Sequence, residues 1–493
     1  MANKHGVFIT EEATAVTVPR ESSAGVQVVI GTAPINLLDD PSSVVNVPIL
    51  ANSAAEAMAQ LGFSYDFEKY TLCQTMYVTA NMYPVGPVVY INVLDPDTHK
   101  QALTGGTVSI TDLQATVKET GALKKNLVVK KPGPNVGDDP ITLTLGTDYT
   151  LGFDDDGYLV ITVLATGSAA SATSLIVTGY KLDPTAVTAA TIIGTVNVST
   201  GAESGMQVIR QVYPKLGVVP GLLLAPGWSH NSTVGIALSA KAATINGVFK
   251  AIAVLDLPSD SVNGAVVYTA VNTVKNNMGF NSEYAYVVWP CVKVGDYKLA
   301  FSAVAAARMA YTDAENEDVP SNSPSNKSLA ITGLVLDDGT TEVTLDQDQG
   351  TTVNGYGVAT AININGFRLW GNYTAAYPAS GDAKDIWINV RRMFNWQGNT
   401  FILTYFDKVD DPMNYVLIEN IVDSENIRCA AYAPTHWAGA SIEYLVADNP
   451  ITDILAGKMT FRQHIAPYTP AETINNILNY DTSMLQAALT GGE

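Results

Sequence analysis

The stretch PGLLLAPGWSHNSTVGIALSAKAATINGVFKAIAVLDLP, residues 220–258, sets the fold class. Leu222 to Ala225 is a short unbroken apolar run that ends at Gly227. A run with no polar alternation has no water-facing side, so it reads as a strand buried on both faces. From about Ser232 to Gly247 the pattern is helical, and Lys250–Pro258 is again a buried strand. Two such strands joined by a helical crossover predict parallel pairing in an α/β domain.

The same alternation extends outward. Upstream, Ser53 and Glu56 have capping-box spacing, and Gly62 closes the short helix they open. Leu72, Met76, Ala80 and Tyr83 follow at helical spacing, then the buried strand Val88–Leu94. Downstream, a helix is expected from Ser261 to about Met278, then one strand through EYAYVVWPCVKV, residues 283–294. Between these halves, residues 98–200 lose all helix signals and become rich in Thr, Gly, Asp and Val. Within them PITLTLGTDYTLGFDDDGYLVITVL alternates apolar and polar positions, with Asp156-Gly157 as a hairpin turn.

The expected architecture is a multidomain α/β chain. An α/β core, residues 23–97 and 201–335, is interrupted by an all-β insertion at 98–200. A C-terminal α+β domain covers 336–466, with helices around Lys384–Lys408 and Pro412–Cys429, and residues 312–327 form a loop before it. Both ends are extended β arms, 1–22 and 467–493. The first carries the strand-forming runs Val7-Phe8-Ile9 and Val16-Thr17-Val18 with no hairpin signal. The second carries Ile474, Ile477 and Leu478 among polar residues at a spacing compatible with strand. A strand without a partner leaves a row of unpaired backbone groups, so such arms pair far along their own chain or with another chain.

Composition narrows the function. The 493 residues are 47% hydrophobic and only 15% charged, sparse for a free surface and suited to one covered by copies of itself. A net charge of −20, with basic residues only in short clusters, argues against nucleic acid. Cys73, Cys291 and Cys429 are too few and too scattered for a disulfide framework or a metal knuckle. No secretion signal or membrane-spanning run is read, so the chain is expected to be made in the cytosol and not secreted.

Catalytic and cofactor motifs are missing. There is no phosphate loop, and Gly355-Tyr356-Gly357 lacks the third glycine of a dinucleotide fingerprint. His5, His99, His230, His436 and His464 are scattered without metal-ligand spacing. FDDDGYL and LDQDQG lack the downstream Glu of a calcium loop. No cofactor and no metal are expected. An enzyme would rest on Asp256, at a strand end, with His230 as its partner. Arg391 and Arg392 stand in an apolar helix and need carboxylate or carbonyl partners; they point about 100° apart, so the two need not share one.

In order along the chain, HGVFITE (5–11), LLLAPG, AIAVLDLP, ARMAYTD (307–313), SPSNKSLAITG (323–333), WGNYTA (370–375), INVRRMFNW (388–396) and GKMTFRQHIAPYTPAETI (457–474) resemble the tail sheath proteins of contractile-tailed bacteriophages and related injection particles. Asn372-Tyr373 follows the Trp-Gly step where that family usually has Arg, and the loop before Ser323 is unusually acidic. Residues 98–200 lie outside the resemblance.

The resemblance implies a structural subunit, not an enzyme. Copies would form a helical sleeve around a tail tube, joined by arms that add strands to sheets of neighbouring subunits. Contraction would drive the tube through the host envelope without nucleotide. The implied partners are other copies, the tail tube protein, and baseplate and tail terminator proteins, with no direct nucleic-acid contact and no membrane insertion. The C-terminal domain would face the tube, with Glu419 and Asp423 as candidate contacts, and the particle would assemble in the host cytoplasm. A surface-layer or tail-tube protein is the rival structural class.

Overall fold

The computed structural model describes residues 23–135 and 137–490. Its centre is an eight-stranded sheet, in the order Pro48–Ala51, Val88–Asn92, Gln27–Gly31, Leu222–Leu224, Ile252–Asp256, Ala285–Val288, Val358–Asn363, Phe367–Trp370. The six inner strands run parallel, with Val29 opposite both Tyr90 and Leu224, and Val288 opposite Ala359. Both edge strands are antiparallel. Unbroken apolar runs such as Leu222–Leu224 and Ile252–Asp256 are buried throughout because helices cover both sheet faces. The helix Phe301–Ala314 lies against the strands at the centre, almost wholly buried, and its alanines permit close approach.

Several elements depart from the sequence expectation. The core does not end at 335, because Val358–Asn363 and Phe367–Trp370 complete the same sheet. EYAYVVWPCVKV divides in two: Ala285–Val288 stays in the large sheet, and Cys291–Val294 joins a separate four-stranded sheet. Pro290 between them has no N–H to continue a ladder. The helix expected from Ser261 starts only at Val271, after a 3-10 turn at Tyr268–Ala270. There the Asp260 carboxylate accepts from Val262 N and Asn263 N at 2.8 Å each, and this local turn competes with helix formation. The loop expected from 312 is helical to Ala314, which makes Asp313 a buried residue.

The insertion holds three antiparallel sheets, and its two larger ones share a hydrophobic core of their own, including Ala115, Leu159, Ile161 and Leu175. Asp156-Gly157 does turn the hairpin between Tyr149–Phe153 and Tyr158–Val163. Lys100 pairs with Leu182, so entrance and exit lie side by side. The segment after Leu182 is not β, as expected, but carries a helix at Ala189–Ile193 that packs into the main core. Thr188 and Thr191 cap it reciprocally, in place of the usual Ser/Thr–Glu pair.

Candidate subunit interface

The C-terminal lobe is built on two helices, Ile388–Tyr405 and Tyr415–Ala431, and a hairpin of Trp437–Glu443 with Arg462–Pro467. Its small core gathers Met393, Trp396, Cys429 and Trp437. A polar network locks helices to hairpin. Buried Glu425 receives Arg428 Nη2 at 2.6 Å, Gln397 Nε2 at 2.6 Å and Gln463 Nε2 at 2.8 Å, and Gln463 belongs to the hairpin. Burial pushes the Glu425 carboxyl up, but the Arg428 charge and the amide donors outweigh it and hold it below its usual range.

Arg391 and Arg392 take different partners. Arg391 Nη1 donates to Asp385 at 3.1 Å, and its guanidinium lies over the Tyr284 ring. Arg392 forms a two-pronged pair with Asp313 on the central helix, both side chains almost fully buried. Burial raises the Asp313 carboxyl while the Arg392 charge opposes it. Arg392 also donates to Ala24 O at 3.1 Å, which fastens the chain just ahead of the strand Gln27–Gly31. The loop expectation at 312–327 hid Asp313; the helical spacing of ARMAYTD was the signal that could have found it.

The hairpin is a two-stranded sheet packed on the helix Tyr415–Ala431, and its strand edges are places where a further strand could pair. Asn426 closes one point of one edge. Its Nδ2 donates to Ile442 O at 3.0 Å, and its Oδ1 accepts from Ile442 N at 2.9 Å. Those two groups face away from Arg462–Pro467, so the amide stands where a neighbouring strand would be. Arg462–Pro467 has no strand on its other side among the described residues.

Beyond Pro467 the chain leaves the body of the protein. Asn389 Nδ2 holds Tyr468 O at 2.9 Å, and the Tyr373 hydroxyl donates to Glu472. From there Ile474, Ile477 and Leu478 are 82–86% exposed. They lie in a segment with no strand among the described residues, and a helix follows at Thr482–Thr490, where the sequence pattern predicts extended chain. The strand signal in the closing motif belongs instead to Arg462–Pro467. The other arm, with Val7, Phe8, Ile9, Val16 and Val18, lies outside the described residues. Glu419 and Asp423 are exposed on one face of Tyr415–Ala431, and Tyr415 and Ile427 stand on the same face.

Asp256 and His230 do not form a catalytic pair. The Asp256 carboxylate accepts from Ser302 N at 2.7 Å, Ser302 Oγ at 2.6 Å and Ser229 Oγ at 2.7 Å. It thereby caps the buried N-terminus of the central helix. Burial pushes its pKa up, against those hydrogen bonds. His230 is exposed and makes no hydrogen bond to Asp256 among the described residues.

No helix among the described residues is long and apolar enough to cross a membrane. No family model matches the chain. It is 30% identical over 439 residues to the tail sheath protein of Burkholderia phage BcepMu, covering 86% of this chain and 85% of the relative. It is 25% identical over 298 residues to the tail sheath protein of Escherichia phage P2, covering 59% of this chain and 70% of the relative. The fold is similar to the sheath complex of an extracellular contractile injection system in its contracted state, with TM-score 0.57 and 13% identity over 99% of both chains. It is also similar to the helical sheath of the anti-feeding prophage, with TM-score 0.54 and 16% identity over 98% of this chain and all of the other. On the first of these relationships the chain belongs to the tail sheath protein family, and its role is structural.

Proposed function

We propose that copies of this chain polymerise as a helical sleeve around a tail tube, and that the sleeve contracts to drive the tube through a host envelope for genome delivery. The observation that carries this reading is the exposed C-terminal segment with Ile474, Ile477 and Leu478, which leaves the body beside a two-stranded sheet with an unpaired edge. Exposed apolar chain and an unpaired edge satisfy each other when they belong to different copies. The N-terminal residues Val7, Phe8, Ile9, Val16 and Val18 serve the same purpose in this proposal. Twenty extended residues reach roughly 60 Å, enough to cross to a neighbour.

The body at 336–466 would face the tube through Glu419 and Asp423, with the insertion outside. Baseplate and terminator proteins would hold the two ends of the sleeve, and assembly would take place in the host cytoplasm. Energy for contraction would be stored at assembly: ~1–2 kcal/mol gained per subunit multiplies over many copies, each within the usual size of a conformational bias. Electron microscopy of the purified protein tests the assembly. Hollow tubes support the sleeve, flat lattices mean a surface layer, and dispersed single particles would overturn polymerisation.

A further inference from the structure

Between the core and the insertion lies a cavity of about 330 Å³ to which, among the described residues, neither the C-terminal lobe nor the C-terminal segment contributes. One wall is the core loop with Phe63, Tyr65 and Tyr70, and the other is the hairpin tip Asp154–Gly157. Its lining holds carboxylates and, among the described residues, no Lys, Arg or His. Asp66 is already paired with Lys69 at 2.6 Å, and Asp154 accepts from Tyr158 N at 2.7 Å, which holds the tip in place. Asp155 and Asp156 have no ion pair among the described residues. Nearby Lys124 is not among the lining residues; it is bonded to Asp39 at 3.1 Å and placed over the Phe153 ring.

A second feature is independent of the carboxylates. Asn36 lines the same cavity, is only 2% exposed, and its Oδ1 has no hydrogen-bond partner. A buried acceptor left unmet is costly, and a donor from a ligand meets it. The aromatic wall is braced: Tyr65 stacks on Tyr297 at 5.3 Å and lies perpendicular to the Phe63 ring at 4.9 Å. An electron-rich ring face beside carboxylates favours a cation. A hard metal ion would need several converging oxygen ligands, and no group of three acidic, His or Cys side chains among the described residues is placed to hold one.

We propose that this cleft binds an alkylammonium group, with Asp155 and Asp156 supplying charge, Asn36 an acceptor, and Tyr65 a ring face. Its volume suits a short polyamine or the end of a lysine side chain. The two sources share one chemistry: a free polyamine, or a basic side chain of a neighbouring copy. The first is independent of the sheath reading; the second rests on its self-assembly.

The test is calorimetric titration of spermidine into the full chain at constant ionic strength. Saturable binding at one site per chain is expected, weakened at least about tenfold by Asp155→Asn with Asp156→Asn. Those residues are exposed, so the variant is expected to fold, which circular dichroism checks. Tyr65→Leu should weaken binding too, without changing any charge. Binding that persists in the assembled polymer assigns the site to a free polyamine. Binding seen in the free chain and lost in the polymer assigns it to a neighbour's side chain. Absent binding, equal heats from magnesium, or unchanged affinity in both variants would overturn the proposal.

Discussion

The side-chain amide of Asn426 occupies both outward-facing backbone groups of Ile442, at 3.0 and 2.9 Å, and so stands in for a strand at one edge of the C-terminal hairpin. An arm from another copy cannot pair at that position while the amide is there. On the opposite edge, antiparallel alternation turns the N–H and C=O of Gln463 and Ile465 outward. Strand addition is therefore expected along Arg462–Pro467. Asn426→Ala should expose the Ile442 groups and cost about 1–3 kcal/mol, with faster hydrogen exchange at the Ile442 amide. Unchanged exchange there would mean that the amide does not guard the edge.

The Arg392–Asp313 pair joins the C-terminal lobe to the central helix and, through Ala24, to the base of the N-terminal segment. Removing one partner leaves a buried charge, so Arg392→Met or Asp313→Asn should each destabilise the chain by ~3–5 kcal/mol. The double variant Arg392→Met with Asp313→Asn should cost less than the sum of the two. Chemical unfolding of the four proteins measures this, and strictly additive losses would show that the pair is not coupled.

Lys275 is 3% exposed, and its Nζ donates to Tyr356 O and Tyr377 O at 2.7 Å each. Burial lowers its pKa from 10.5 to about 8. The unfolded chain thus binds more protons than the folded one between about pH 8 and 10.5, and stability from this group rises with pH across that window. Lys275→Met removes that rise. The stability difference between the two proteins should shift by ~2–3 kcal/mol in favour of the native chain from neutral to alkaline pH. Parallel stability–pH curves in urea unfolding would contradict it.

What the sequence made legible was local. The runs at Val88, Leu222 and Ile252 show their burial because a strand covered on both faces has no polar alternation to confuse it. Asp156-Gly157 shows its turn because Gly supplies the positive φ that the turn needs. The losses were of two kinds. Contacts distant in sequence leave no periodic trace, so neither the Asp313 partner of Arg392 nor the capping of the central helix by Asp256 was visible. Asx chemistry at Asp260 and a Thr–Thr box at Thr188 moved helix boundaries because each competes with, or replaces, the usual cap signals. The arms had the strand-forming residues but not the partner, and a partner on another chain cannot be read from one chain's pattern.

The insertion should be removable. Its own core and the direct Lys100–Leu182 pairing let a short Gly-Ser linker in place of 101–181 close the chain, with the loss of Leu123 from the main core. Exposed pairs such as Lys125–Asp97 contribute little. The shortened protein should keep its cooperative unfolding, with a loss of about 2–5 kcal/mol from Leu123, and still assemble. Insoluble protein from this variant would mean that the insertion is needed to build the core.

The central claim is that the arms pair in trans. Cryo-electron microscopy of the assembled polymer measures this most directly, because it traces each arm to the copy it leaves and the edge it meets. The account predicts a hairpin sheet widened by strands from other copies, at least one of them against Arg462–Pro467, and no tubes from a chain cut before Ile474. Arms folded back on their own subunit, or normal tubes from the truncated chain, would contradict it.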